Sequence, residues 1–600
     1  MDLLKSQVES VTLDLCLQLI RDDPLGTTQS KSTLRDCVTL ATRTRNEGLA
    51  FLTKTLPKLG KALDLGLVST SFSLPREFKH SHESRCRPAF MQAYFKLVFD
   101  GDGALREDAC PIAIKHLRQV LFFAYKLELP YQEDQISQVI ENFVRTDEEI
   151  GLIDYAEDYS LLELSARITK NIFSDFDPKD IRPKHGPGAV ATGERLEEKW
   201  EFSRLYNSIH QVFPYYDYFM VGGGRELLDR LGWYKQLERH ESGVAKVVLV
   251  PKDSRGPRLI SCEPLEYQWI QQGLGRKMVS HLESHRLTKG QINFTRQEIN
   301  QQLALRSSIN GEYATLDLKD ASDRVGLQLV RRIFCHVPEL LRALEACRTT
   351  ATLLPDGSIM ELKKFAPMGS ALCFPVEAYC FWVLMVAATV LDTRLPLRRV
   401  GERVFVYGDD IIVPVTWAPR CMRALEHVGL VVNKQKSCIT GSFRESCGTD
   451  AFRGVYVTPA RLRKPWTGRR SDGSAYASYV SLANELGSRG YTNTSNAIWN
   501  LLENAYGKIP AGTSRSSYPS RIFHSPEEAE EYNSKLFQCR WNRNFQRSEF
   551  KVLSLKTRKV PSKIDGWTRL MRDLLSPLID DPSVVVVPRS TQLRRGWAPV

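Results

Sequence analysis

Two adjacent acids, Asp409 and Asp410, follow Tyr407 and Gly408 between the apolar runs Val404-Phe405-Val406 and Ile411-Ile412-Val413. Apolar, β-branched runs on either side of a Gly-Asp pair read as strand, tight turn, strand. Glycine tolerates the backbone angles of a sharp turn. The turn then presents two carboxylates at the tip of a hairpin. Such groups are costly to bury unpaired, so a metal, a basic partner or solvent must face them. A further acid stands at the end of Tyr313-Ala314-Thr315-Leu316-Asp317-Leu318, and Asp323 follows six residues later. Asp317 and Asp409 are 92 positions apart, each at a predicted strand end. If the two strands are antiparallel neighbours, the acids meet. Three carboxylates can hold two divalent ions, which prefer hard oxygen ligands. Two ions ~4 Å apart clamp the attacking and leaving oxygens of a phosphoryl transfer.

That chemistry needs cations for the phosphates. Val244 to Val250 reads as a strand, Pro251 to Arg258 as a turn-rich loop, and Leu259-Ile260-Ser261 as extended chain again. Lys246, Lys252, Arg255 and Arg258 line this hairpin-like element. Arginine offers bidentate contacts to a triphosphate and lysine a point charge; the competing reading is a solvated basic loop. In the tail, Arg461, Arg463 and Lys464 cluster around Trp466. Aromatics among cations suit single-stranded nucleic acid, and ordinary basic surface is the rival reading. Glu377, the one acid on an apolar stretch, is expected to pair with a cation or an amide, since a lone buried carboxylate is expensive. Asp320 or Ser322 is placed to cap a helix from Val325.

The elements that must position these residues follow from composition and pattern. Six hundred residues exceed one core, so two to four subdomains are expected. Apolar content of 42% supports packed cores, and a net charge of +12 suits a polyanionic partner. Thirteen scattered cysteines without a C-x-x-C pair fit buried thiols in a reducing compartment. The start of the chain carries an acid at once and lacks a signal-peptide pattern. Ala378 to Leu391 is the longest mainly apolar run, and at fourteen residues it reads as a buried core helix. Residues 1 to about 175 look mostly helical, with no visible catalytic constellation. The glycine-rich stretches 185–193 and 222–224 read as loops.

From about Lys246 to Pro459 the motifs also follow a known order. They are Val250-Pro251-Lys252 with Arg258 and Glu263-Pro264, then Thr315-Leu316-Asp317-Leu318 with Ala321-Ser322-Asp323. Leu354-Pro355-Asp356-Gly357-Ser358, Met368-Gly369, Tyr407-Gly408-Asp409-Asp410, Asn433 with Lys436, and Phe443-Arg444-Glu445-Ser446-Cys447-Gly448 complete the series. In this the chain resembles the catalytic subunit of RNA-phage replicases, the levivirus-type RNA-dependent RNA polymerases.

The resemblance implies an α+β right-hand polymerase of fingers, palm and thumb, with an antiparallel-sheet palm and a mostly helical N-terminal extension. Residues 1–175 would be the N-terminal region and outer fingers, and 176–305 fingers with the basic motif. The palm would be 306–330 and 365–457, with a fingers insertion at 331–364, and 458–600 the thumb and basic tail. It implies RNA synthesis on an RNA template from ribonucleoside triphosphates, with two Mg2+ ions (Mn2+ or Ca2+ as substitutes). Asp317, Asp409 and Asp410 would hold metal, and Lys436 would act as general acid. Lys246, Lys252, Arg255, Arg258, Asp323, Gly369 and Ser370 would face the nucleotide; Arg461, Arg463, Lys464 and Trp466 would face RNA. Relatives recruit the host translation factors EF-Tu and EF-Ts and a small-subunit ribosomal protein, which places the work in a bacterial host's cytoplasm without a membrane. The chain departs from the family at Ser370 and Ala371, where Asn and Gly are common, and at Pro375, where Glu is. A reverse transcriptase, and a non-catalytic RNA-binding or packaging protein with a degenerate palm, are the alternatives.

Overall fold

Helix Cys373–Thr393 is apolar on every face. A helix with no polar stripe must be covered all round, and its side chains from Val376 to Ala387 are almost wholly buried. It packs against helices Tyr159–Ile172 and Ala418–His427 and supports strand Phe405–Tyr407. By length and composition it is the one helix among the described residues that could cross a membrane, but most of it lies inside the protein. The computed structural model describes residues 2–26, 30–155, 159–576 and 583–600.

Around this helix a core of residues between 155 and 432 is gathered, with Met571 added from the tail. A second core joins residues 8–127 to 438–509. The N-terminal helices therefore share their interior with the segment that follows the predicted catalytic hairpin. Arg118, on helix Pro111–Phe122, ties that joint. It is 3% exposed in its side chain and reaches Asp64 at 3.0 Å and Asp450 at 3.1 Å.

The sheets are small and mostly antiparallel. Asp410–Pro414 lies between Tyr313–Leu316 and Phe405–Tyr407. On its other side Tyr313–Leu316 meets Cys438, whose N–H donates to the Thr315 carbonyl at 2.7 Å. Beside this, Leu318–Lys319 pairs with Val431–Val432. A four-stranded sheet holds Gly256–Cys262, Val244–Asp253, Ala351–Leu353 and Ile359–Glu361 in that order. The stretch 251–258, expected as a loop, is strand almost throughout: Val244–Asp253 turns through Ser254 and Arg255 straight into Gly256–Cys262. A register shift between Val250 and Asp253 accommodates Pro251, as a bulge can where an N–H is missing.

The helix expected from Val325 begins at Leu327, behind Gly326, with no side-chain cap. Asp320 instead occupies a turn at φ 51° and accepts from Asn142, and Ser322 opens a short 3-10 turn. Most cysteines are buried, and all are free thiols.

Arg118→Met is expected to destabilise the fold by about 3 kcal/mol, because it strands the buried Asp450 carboxylate and the half-buried Asp64. Urea unfolding measures this; a loss under about 1 kcal/mol, the range of exposed pairs, would show that the joint is not held by this ion cluster.

Candidate active site

Leu316 pairs with Ile411 across the antiparallel ladder. One step further along the same register, Asp317 stands opposite Asp410. Facing residues of an antiparallel pair lie about 4.5–5.5 Å apart at their Cα atoms. Asp409 occupies the turn beside them and is exposed. The sequence expectation of converging acids is thus met, with Asp410 rather than Asp409 directly across from Asp317. Burial pushes the Asp410 carboxyl up to about 6; the Cys447 N–H opposes this, and the neighbouring Asp409 and Asp317 add to it.

Asp317 and Asp410 are each braced. Asn433 Nδ2 donates to Asp317 Oδ2 at 2.7 Å, and Lys436 Nζ reaches Oδ1 at 3.4 Å. The Asn433 N–H donates to the Asp317 carbonyl at 2.8 Å. Ser446 Oγ lies 3.4 Å from Asp410 Oδ1. That serine belongs to the hairpin Phe443–Ser446 and Thr449–Phe452, whose two-residue turn is Cys447-Gly448. Both turn residues have positive φ, 48° and 70°, as the favoured two-residue hairpin turn requires. Arg444, 1% exposed, fastens this hairpin to the catalytic strand by donating to the Tyr313 carbonyl at 2.7 Å.

Gly408 is required twice over. Its φ is 61°, and a Cβ there would lie 2.0 Å from the Phe374 ring. Phe374 also packs edge-on against Tyr407, 5.6 Å between centroids. Glu377, one turn along the same helix, pairs with no cation among the described residues. Burial raises its carboxyl well above the ordinary value, with Asp409 and Asp323 adding to the shift, and its neighbour is the Cys373 thiol at 3.8 Å. The expected pairing with a cation or amide is therefore replaced by protonation, the cheaper route for an isolated buried acid.

Asp323 holds Lys364 Nζ at 3.1 Å. Lys364 is fully buried, lies over the Phe143 ring at 3.5 Å, and is 3.8 Å from Asp147. Asp147 also accepts the N–H groups of Lys363 and Lys364 at 2.8 and 3.0 Å. Arg324 pairs with Glu149 at 2.6 Å. Helix Glu133–Gly151, in the region that looked devoid of function, therefore braces the segment after Asp317. Lys364, between Lys363 and Phe365, gives no signal in sequence, since its acids come from 41 and 217 positions away.

The basic hairpin comes near this centre through Lys436, which acts on Lys252 and is itself acted on by Arg255. Lys246 and Arg258 fall on the exposed face of the hairpin, away from buried Ala245 and Val247. Lys252 is pushed below its ordinary value by its partial burial and by Arg258, with Arg255 and Lys436 adding to the effect. Among the described residues no carboxylate forms an ion pair with Lys246, Lys252 or Arg258. Arg255 differs: it grips Asp253 with two nitrogens, at 3.1 and 2.8 Å. Lys436 is held above its ordinary value despite partial burial, by Glu445 and Asp317, so it is protonated at neutral pH. Gly369, at φ 121°, presses on the Ser261 carbonyl so closely that a Cβ would come within 2.1 Å of it.

Two predicted contacts are corrected. Ser370 is 7% exposed, and its hydroxyl accepts the Leu372 N–H at the helix start, so it does not open onto a nucleotide. Trp466 is 3% exposed and packs on Tyr479 and Tyr506, which leaves it no face for a base. Its basic neighbours are surface residues, but the indole points into the second core. Lys464 is paired with Glu128. Arg461 and Arg463 depress Lys126 after its burial does, which sets them beside the basic hairpin.

Among the described residues, no group of three or more His, Cys, Asp or Glu side chains is gathered as a ready metal cage. The donors that do converge are all carboxylate oxygens, one of them exposed at a turn. Carboxylate oxygens of this kind suit a hard divalent cation that is completed by ligands from outside the protein.

Residues 229–470 match the family model described as RNA replicase, beta-chain, and the resemblance to RNA-phage replicases holds across this segment. The chain is 30% identical over 334 residues to the RNA-directed RNA polymerase subunit beta of Enterobacteria phage SP, covering 54% of each chain. It is 35% identical over 219 residues to the RNA-directed RNA polymerase beta chain of Escherichia phage MS2, covering 36% of this chain and 38% of that one. The subunit beta of Escherichia virus Qbeta matches at 35% over 218 residues, 36% and 35% of the two chains. The alignments thus span about half or less of these relatives. A solved structure titled RdRp complex covers 81% of this chain and 47% of its own at 9% identity and a TM-score of 0.39, too distant to support an argument.

Two outcomes are expected from these contacts. Gly408→Ala should abolish activity through displacement of Phe374 and the turn, with melting lowered; an active, equally stable variant would show that the turn is not constrained. Asp410→Asn should stabilise the metal-free protein. An acid whose folded value, about 6, exceeds its unfolded value loses stability as pH rises between the two. The variant's gain, on the order of 2–3 kcal/mol above pH 7, should vanish below about pH 4, and a pH-independent difference would contradict the charge crowding.

Proposed function

We propose that this chain is an RNA-directed RNA polymerase of the phage replicase type, with the right-hand arrangement of fingers, palm and thumb that its resemblance implies. The observation that supports it most is the register that sets Asp317 beside Asp410, inside the segment matched by the replicase model. In this reading Lys246, Lys252 and Arg258 bind the triphosphate, with Arg255 held at its edge by Asp253. Asp323, held by Lys364, orients the ribose. Asp317 and Asp409 would hold two Mg2+ ions, with Asp410 beside them, and the bound ions would supply Lewis acidity for the attacking hydroxyl and positive charge for the phosphates.

The 3′-oxygen forms a bond to the α-phosphorus as the α–β bridging bond breaks, and pyrophosphate leaves. Lys436, kept charged by Glu445 and Asp317, gives the departing group a proton. Arg461 and Arg463 meet the RNA backbone. The relatives' naming as beta chains supports work within a multi-subunit complex. On the same resemblance its partners are EF-Tu, EF-Ts and a small-subunit ribosomal protein, in a bacterial host's cytoplasm.

Asp409→Asn should cut Mg2+-dependent ribonucleotide incorporation on an RNA template by at least roughly 10²–10³-fold, with melting retained. Near wild-type synthesis by that variant, or faster use of deoxyribonucleotides by the wild-type chain, would overturn the assignment.

A further inference from the structure

Helix Leu56–Ser69 lies in the region whose sequence shows no catalytic pattern. Residues three apart on a helix share a face, so Lys61 and Asp64 look the same way. Asp64 is the residue held by Arg118 beside the hairpin that braces Asp410. Lys61 reaches the basic strands: its Nζ lies over the Tyr125 ring, 5.3 Å from the centroid, and the Arg255 guanidinium lies 5.9 Å from the same centroid.

The tip of the basic hairpin is locked to this region by several bonds. Ser254 Oγ donates to the Thr53 carbonyl at 2.7 Å, Gln135 Nε2 to the Arg255 carbonyl at 2.7 Å, and the Lys252 N–H to Tyr131 Oη at 3.0 Å. Lys61 is thus fixed relative to the hairpin, not merely near it. Burial lowers its ammonium below the ordinary value, and Arg255 and Lys436 lower it further.

The charge around it is lopsided. The acid within this group, Asp253, is engaged by both arms of Arg255 and by Tyr125 Oη at 3.4 Å. Lys58, one turn back on the same helix, has its own acid, Glu77, at 2.6 Å. Among the described residues Lys61 has no ion-pair partner, nor have Lys252 and Arg258. Crowded cations without anions repel one another, so a polyanion completes such a group. A group carrying three or four negative charges on closely spaced oxygens matches it; single exposed carboxylates do not.

We propose that Lys61 is a further triphosphate-binding residue, which the N-terminal helix Leu56–Ser69 contributes to the β- and γ-phosphates of the incoming nucleotide and to the pyrophosphate that leaves. This rests on the polymerase reading above and extends the nucleotide site into a segment outside the matched residues 229–470.

The test compares Lys61→Ala, Lys61→Arg, Lys58→Ala and Arg258→Ala in the full chain. Four quantities are read: KM for ribonucleoside triphosphates, inhibition by pyrophosphate, RNA affinity with its salt dependence, and melting. Lys61→Ala should raise KM and the pyrophosphate inhibition constant together by roughly tenfold, the loss of one charge-assisted contact. RNA affinity and its salt slope should hold, Lys61→Arg should restore much of the loss, and Lys58→Ala should change nothing. If Arg258→Ala raises KM and Lys61→Ala does not, Lys61 is excluded while the basic hairpin stands. If neither moves KM, both fall. A weaker RNA affinity with a shallower salt slope in Lys61→Ala would overturn the proposal in favour of a backbone contact.

Discussion

The register between Leu316 and Ile411 is the constraint on which the rest depends. Side chains in a strand alternate faces, so a slip of one residue would send Asp317 and its partners to opposite sides. The register is held from both flanks. Ile411, Ile412 and Val413 are buried, and Ile411 and Val413 belong to the core gathered around helix Cys373–Thr393. Cys438 and Arg444 bond the far edge of the strand that precedes Asp317. Carboxylates that repel one another are kept in place because the apolar strands carrying them cannot shift without exposing their buried sides. A buried acid beside like charges is stability given up for function, and the Asp410 carboxyl is raised first by burial and then by Asp409 and Asp317.

The chain returns on itself to build this centre. Helices Leu56–Ser69 and Pro111–Phe122 share a core with the segment after the Asp-Asp hairpin. Helix Glu133–Gly151 supplies Asn142 and Glu149 to the loop that follows Asp317, and Asp147 to Lys364, which holds Asp323. The tip of the basic hairpin is clamped in turn by Thr53, Tyr131 and Gln135.

Much of this was legible in the sequence for a physical reason. Val404 to Val413 alternates poorly but is apolar and β-branched around a glycine turn, and short buried strands look like that. Helix Cys373–Thr393 announced itself by the lack of any polar face. What escaped was whatever depended on distant partners. Lys364 and Lys61 are ordinary lysines until Asp323, Tyr125 and Arg255 are brought to them. Trp466 was misread because its cationic neighbours in sequence point outward while the indole points inward. Glu377 was expected to find a cation; the sequence could not reveal that protonation would serve instead. The stretch 251–258 looked like a loop because of its proline and glycine, yet a bulge lets the strands run on through it.

The central claim is that Asp317 and Asp409 share a pair of divalent ions. Electron paramagnetic resonance of Mn2+ bound to the chain with a non-incorporable nucleoside triphosphate reads this directly. Two spin-coupled ions per chain, ~4 Å apart, with coupling lost when residue 317 or 409 becomes asparagine, is the result the account predicts. Isolated, uncoupled Mn2+ whose binding survives both replacements would contradict it.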